Sequence, residues 1–159
     1  AKMRKVRLLA LDSDGVLTDG GVYILEDGGE FRRFDIHDGA GLKAVMQAGI
    51  RVAVISSGRS PVVQHRCKQL GIPDVYVGVD DKLDCLNAVC AKYGIELREV
   101  CYMGDDLVDL PVLKAVGLPC APADAIPSVL EAAACVTQRA GGHGAVRELC
   151  DLLLREQAG

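Results

Sequence analysis

The residues of this chain best suited to chemistry are carboxylates at the ends of apolar runs. The first run is Leu8-Leu9-Ala10-Leu11, followed by Asp12-Ser13-Asp14-Gly15. Such a run reads as a buried parallel strand, and open α/β sheets place ligands at the carboxyl ends of those strands. Asp12 and Asp14 share a strand face, and a bend at Gly15 would bring both carboxyls over one small site. Two acids that close need a cation, a shared proton or different chemical roles. Two more runs end in polar groups: Val52–Ile55 in Ser56-Ser57-Gly58, and Val100–Met103 in Gly104-Asp105-Asp106, with Asp109 beyond. In a parallel sheet these ends share one edge. So many carboxylates, with no Arg or His in the motifs to balance them, suit a hard cation with oxygen ligands. Mg²⁺ leads, because it takes one or two carboxylates plus substrate phosphate. A serine hydroxyl and Lys82, at the start of a predicted helix, would hold phosphate oxygens.

The elements that must position these groups alternate strand and helix. Strands are predicted at Val6–Leu11, Arg51–Ile55, Val75–Val77, Val100–Met103 and Leu118–Ala121. Helices are predicted at Gly39–Ala48, Pro61–Leu70, Lys82–Tyr93, Leu110–Val116, Pro127–Ala134 and Gly144–Gln157. Asp19–Phe34 breaks the rhythm with Val22-Tyr23-Ile24, a turn at Asp27-Gly28-Gly29, and Phe31 to Phe34, which reads as an inserted β-hairpin. Repeated β–α units imply a doubly wound parallel sheet with helices on both faces. Asp80 and Asp81 read as helix-start acids, and Asp109 as an N-cap with Pro111 in the first turn.

The bulk numbers bound the reading. A chain of 159 residues suits one domain, 1–159, with the hairpin at about 19–34 and no room for a lid domain. Net charge is −4, which argues against a nucleic-acid partner, since that usually needs a basic surface. The seven cysteines form no C-x-x-C pair. They read as small buried hydrophobes rather than zinc ligands, which fits a reducing cytoplasm. The first apolar run stops at Asp12, too soon for a signal peptide or a membrane span.

Together, Asp12-x-Asp14-Gly15-Val16-Leu17-Thr18-Asp19, the serine at the second strand end, Asp81-Lys82-Leu83 and Gly104-Asp105-Asp106-x-x-Asp109 resemble the haloacid dehalogenase superfamily. Phe34-Asp35-Ile36-His37-Asp38-Gly39-Ala40-Gly41 and Gly141–Glu148 resemble its small, capless branch. That branch comprises the 3-deoxy-D-manno-octulosonate 8-phosphate (KDO 8-phosphate) phosphatases and relatives acting on nine-carbon keto sugar acids. The resemblance implies a Mg²⁺-dependent phosphatase working through an aspartyl-phosphate. It makes Asp12 the nucleophile and Asp14 the acid and base. Metal ligands would come from Asp12, Asp105 and the Asp14 carbonyl. Asp106 and Asp109 would support the site, and Ser56, Ser57 and Lys82 would bind the phosphoryl group. It also implies a homotetramer in which the hairpin and a neighbour's chain shield the site.

The chain departs from the branch in places. Relatives often read Ser/Thr-Gly-Arg where this chain reads Ser56-Ser57-Gly58-Arg59. Strand length favours Ser56 as the phosphate ligand; matching the Gly-Arg pair favours Ser57. The sugar-contacting candidates are Arg59, His37 and His143. KDO 8-phosphate phosphatases typically carry Arg at the first histidine and Arg or another polar residue at the second. Histidine is shorter and only partly charged near neutral pH, so a nine-carbon acid stays open beside KDO 8-phosphate. Two rival readings are a non-catalytic assembly module, like the C-terminal domain of acylneuraminate cytidylyltransferases, and a phosphotransferase or mutase. The first tends to lose the acids kept here; the second usually carries a cap domain.

Overall fold

The computed structural model describes residues 2–159. Its elements, in chain order, begin with β1 (Leu8–Leu11), β2 (Tyr23–Ile24), β3 (Glu30–Phe31), α1 (Ile36–Gln47), β4 (Arg51–Ile55), α2 (Val62–Leu70) and β5 (Asp74–Tyr76). They continue with α3 (Lys82–Tyr93), β6 (Val100–Met103), α4 (Leu110–Ala115), β7 (Leu118–Ala121), α5 (Pro127–Ala132), β8 (Cys135–Val136) and α6 (Ala145–Ala158). A six-stranded sheet runs in the order β5-β4-β1-β6-β7-β8, and every pair in it is parallel.

The strands alternate between two cores because successive side chains point to opposite faces. Leu9 and Leu11 of β1 pack with α1, α2 and α6, while Leu8 and Ala10 pack with α3, α4 and α5. All four are fully buried. Truncating one of these leucines to alanine costs about 2–5 kcal/mol and loosens the strand that carries Asp12.

The chain leaves β1 toward β4 and β5, then crosses back to β6 on the other side of β1. The sheet therefore changes direction at β1, and a crevice opens at such a point beyond the strand ends. β1, β4 and β6, the three strands with polar carboxyl ends, are the neighbours there.

The hairpin stands apart from this sandwich. β2 and β3 pair only with each other, and Tyr23 stacks on Phe31 at 4.7 Å between ring centres. Below them the chain is tied back by one bridge, Thr18 to Phe34. Val22, Tyr23, Ile24, Leu25 and Phe31 stay exposed.

Three differences from the sequence expectation have local causes. Helix α1 starts at Ile36, not Gly39, because the Asp35 carboxylate accepts the His37 N–H as an N-cap. β8 was not foreseen; two residues give no periodicity to read. Asp109 makes no side-chain cap on α4, because its carboxylate is drawn inward, as described next.

Candidate active site

The buried floor of the crevice is a network around Lys82. Asp81 caps α3 by accepting the Asp84 N–H, which fixes Lys82 as the first helical residue and turns it under the sheet edge. Its ammonium lies 2.9 Å from Asp12 Oδ1 and 2.9 Å from Asp109 Oδ1. Exposures are 6% for Asp12, 3% for Lys82 and 0% for Asp109. Burial pulls the Lys82 ammonium down, but Asp12 and Asp109 outweigh it and hold it above its ordinary value.

Asp109 is fully engaged. Its Oδ1 accepts from Lys82 and from the Tyr102 hydroxyl, and its Oδ2 accepts the Asp105 and Asp106 N–H groups. This explains its departure from the N-cap role: it organises the Gly104–Asp106 turn from below. Asp12 Oδ1 accepts the Ser13 N–H at 2.8 Å as well as Lys82.

Asp105 faces Asp12 across the floor. Burial first, then the Asp12 carboxylate, raises the proton affinity of Asp105; burial and Asp109 raise that of Asp12 against the pull of Lys82. Carboxylate oxygens of Asp12, Asp105 and Asp109 come within 4.8 Å of one another, and Asp105 Oδ1 is buried with no hydrogen-bond partner. An all-oxygen donor set with an orphaned carboxylate oxygen fits a hard divalent cation such as Mg²⁺. Asp109, with all its lone pairs occupied, holds the site together. Gly15 makes this approach possible: at φ +83° it sits where a Cβ would overlap the Asp105 carboxylate.

Above the floor is an open cavity of about 260 Å³ lined by Asp12, Asp14, Ser56, Ser57, Lys82, Asp105 and Asp106, among others. Ser56 is buried and its Oγ accepts the Gly58 N–H at 3.2 Å, which leaves its O–H free to donate. Ser57 is exposed at the rim. Asp106 is also at the rim, where its carboxylate accepts the Leu107 N–H.

The three sugar-contacting candidates are not brought into this cavity. Arg59 is exposed and lies along Gly78. His37 and His143 line a separate depression of about 360 Å³ with Arg139 and Arg147. The Gly141–Gly144 segment that carries His143 is no free turn. A Cβ at Gly142, φ +69°, would overlap the Thr18–Asp19 backbone, and the Gly142 N–H donates to the Val16 carbonyl. The segment thus braces the loop after β1.

One residue missing from the sequence reading enters the site from the hairpin. Arg32 Nε lies 2.9 Å from Asp14 Oδ1. The motifs themselves hold no arginine, and the one that balances Asp14 comes from outside them, from the hairpin. The only sequence signal was the acid-base pair Glu30-Phe31-Arg32, which does not reveal a return to Asp14. Tyr102, read only as an apolar strand residue, was missed in the same way.

A parallel sheet with this acid set at its turning point defines a hydrolase of one type: the chain belongs to the haloacid dehalogenase-like hydrolases, whose sequence profile matches residues 67–149. Among its relatives is the 3-deoxy-D-manno-octulosonate 8-phosphate phosphatase KdsC of Escherichia coli (strain K12), 45% identical over 99% of this chain and 84% of that protein. The Moraxella catarrhalis phosphatase of that name, crystallised with a magnesium ion, a phosphate ion and KDO, superposes with a TM-score of 0.96 at 38% identity, covering 99% of this chain and 90% of the other. A haloacid dehalogenase superfamily subfamily III A hydrolase from Legionella pneumophila superposes with a TM-score of 0.97 at 46% identity, covering 99% and 86%.

Proposed function

We propose that this chain is a Mg²⁺-dependent phosphatase that hydrolyses the phosphate monoester of a 3-deoxy-2-keto sugar acid, with KDO 8-phosphate as the leading substrate. The observation that carries the reading is Asp12 itself. It is a buried carboxylate at the cavity floor, neutralised by Lys82 and opposed by Asp105. A structural carboxylate would have no need of an opening to solvent, and a surface acid would have no such partners.

Asp12 attacks phosphorus as the bond to the sugar oxygen breaks, and Asp14 gives that oxygen its proton. Asp14 then takes a proton from the water that attacks the aspartyl-phosphate, which releases phosphate and restores Asp12. Ser56 donates from the end of β4 and Lys82 from the start of α3 to the phosphoryl oxygens; Ser57 is the rim alternative. Asp12, Asp105 and the Asp14 carbonyl would hold Mg²⁺, whose chemistry is to offset the negative charge of the transferring group and its anionic nucleophile. Asp106 and Asp109 support that set.

The exposed apolar hairpin supports assembly of copies of the chain, with a homotetramer as the expected state. An isolated two-stranded hairpin is marginal in water, and contiguous exposed apolar surface marks interaction sites. His37, His143 and Arg59 face outward, which suits contact with the sugar or with a second copy. Seven unpaired cysteines support a reducing compartment, the cytoplasm. No helix among the described residues is long and apolar enough to cross a membrane.

Steady-state assays of KDO 8-phosphate, KDN 9-phosphate and N-acetylneuraminate 9-phosphate, with and without Mg²⁺, test the reading. The expected result is highest kcat/KM on KDO 8-phosphate and loss of turnover without the metal. Uniformly low kcat/KM on all three overturns the sugar-acid assignment.

A further inference from the structure

Arg32 is placed unlike an ordinary surface ion-pair partner. It follows β3 at the foot of the hairpin, two residues before the Thr18–Phe34 bridge that anchors this leg to the loop after β1. Its Nε lies 2.9 Å from Asp14 Oδ1 and its Nη1 2.9 Å from Glu30 Oε1. The Arg32 side chain is 10% exposed, whereas that of Asp14 is 44% exposed. A pair that only staples two segments together has no reason to cover the arginine and leave the carboxylate open to the cavity. Surface pairs contribute about 0–1 kcal/mol to stability, so stability alone explains little here.

Arg32 lines a small cavity together with Ser13, Asp14, Ser56, Gly58 and Ser60, beside the loop that leaves β4. Asp14 Oδ2 faces Gly58, where a Cβ would come within 3.2 Å of it. A carboxylate turns easily about its last bond. Here the guanidinium fixes Oδ1 and Gly58 leaves room for Oδ2, so one oxygen is held and the other is presented to the cavity.

We infer that Arg32 is a positioning residue for the proton transfer assigned to Asp14, and that through it the hairpin sets the geometry of the acid. The inference rests on the phosphatase reading above. Arg32 acts through Asp14 and does not itself line the acid cavity. The guanidinium holds Oδ1 and exchanges no proton; Oδ2 carries the proton to the sugar oxygen as the P–O bond breaks. Losing the guanidinium frees the carboxylate to rotate, and the proton is then delivered from a poorer geometry.

The test uses the full chain with Mg²⁺ and two esters. KDO 8-phosphate releases an alkoxide-type leaving group that needs a proton; p-nitrophenyl phosphate releases one that departs without it. The parameter is kcat/KM, which reports events through departure of the leaving group. General acid catalysis contributes about 10²–10⁴-fold, so R32A should lose on the order of tenfold or more on KDO 8-phosphate beyond its loss on p-nitrophenyl phosphate. R32K should recover part of that difference. In a D14N background, R32A should cost nothing further on KDO 8-phosphate.

Equal losses on both esters, or a further loss from R32A in the D14N protein, overturn the inference; the second result would make Arg32 a direct sugar ligand. A wild-type chain that hydrolyses neither ester overturns the phosphatase reading and the inference with it. Circular dichroism of R32K and R32A guards against a folding defect, and a common loss of fold counts against the positioning role.

Discussion

Asp12 and Asp14 are two residues apart, yet they belong to regions built on different physical terms. Asp12 lies on a buried floor, held by Lys82 from α3, by the Ser13 amide and, through Lys82, by Asp109 and Tyr102. Asp14 belongs to an exposed wall, held by one arginine from a hairpin that pairs with no strand of the main sheet. On the floor, Asp12, Lys82 and Asp109 are out of water and paired with one another, so removing Lys82 leaves uncompensated buried charge. In the wall, the Asp14 carboxylate is half solvated while its arginine is covered, and geometry matters more than energy. The floor is thus a rigid charge cradle, and the wall is an adjustable one.

The comparison is tested hardest at the floor. Asp12→Asn should abolish phosphatase turnover, since an amide cannot form the acyl phosphate; full activity in that variant would sink the reading. Lys82→Met should lower stability by about 3–5 kcal/mol, the cost of breaking a buried ion pair from one side, and lower turnover as well. Urea unfolding measures the first effect. A loss below about 1 kcal/mol would show that the floor behaves as a surface network.

At the wall the expected effects are smaller and of another kind. Ile24→Asp, on the exposed hairpin face, should dissociate the proposed homotetramer, as read by light scattering, while leaving the far-UV circular dichroism of the main sheet in place. An unchanged mass would remove the hairpin from the interface.

The smallest effect concerns Asp38, which lies behind the wall where α1 meets α6. Its Oδ1 accepts the Arg147 N–H at 2.9 Å, and Oδ2 is buried without a partner. Burial raises its carboxyl to about 6. The folded state therefore holds the proton more tightly than the unfolded chain, whose value is near 4. Stability from this group is present at low pH and falls as pH rises from about 4 to about 6. Asp38→Asn keeps an acceptor for Arg147 and removes the titration. Relative to wild type, the variant should gain on the order of 2 kcal/mol across that window, as read from denaturation at pH 4 and pH 7. Parallel curves would place the Asp38 carboxyl at its ordinary value.

The floor was largely legible in the sequence and the wall was not. Asp12 and Ser56 follow an apolar run directly and Asp105 follows one after a single glycine, and strand ends of a parallel sheet share an edge, so local pattern was enough to gather them. Lys82 was legible because it opens a helix whose limits, Lys82–Tyr93, are set by Asp81 before it and Gly94 after it. Arg32 was not, because its role depends on how a hairpin folds back across eighteen residues to Asp14, and nothing local encodes that return. His37 and His143 share a depression, but it lies apart from the acids, since the start of α1 and the Gly141–Gly144 segment carry them to another face.

By itself the sequence determined the elements, the parallel sheet and the oxygen-rich edge, because hydrophobic periodicity and strand-end chemistry are properties of short segments. Only the tertiary structure decided which lone pairs were spent and which remained. It turned Asp109 from a helix cap into the anchor of the floor, left Asp105 with an unpartnered oxygen, and brought Arg32 onto Asp14. The physical reason is that hydrogen bonds and burial are settled between segments distant in sequence, where the packing of the sheet and the path of the hairpin fix distances that composition does not contain.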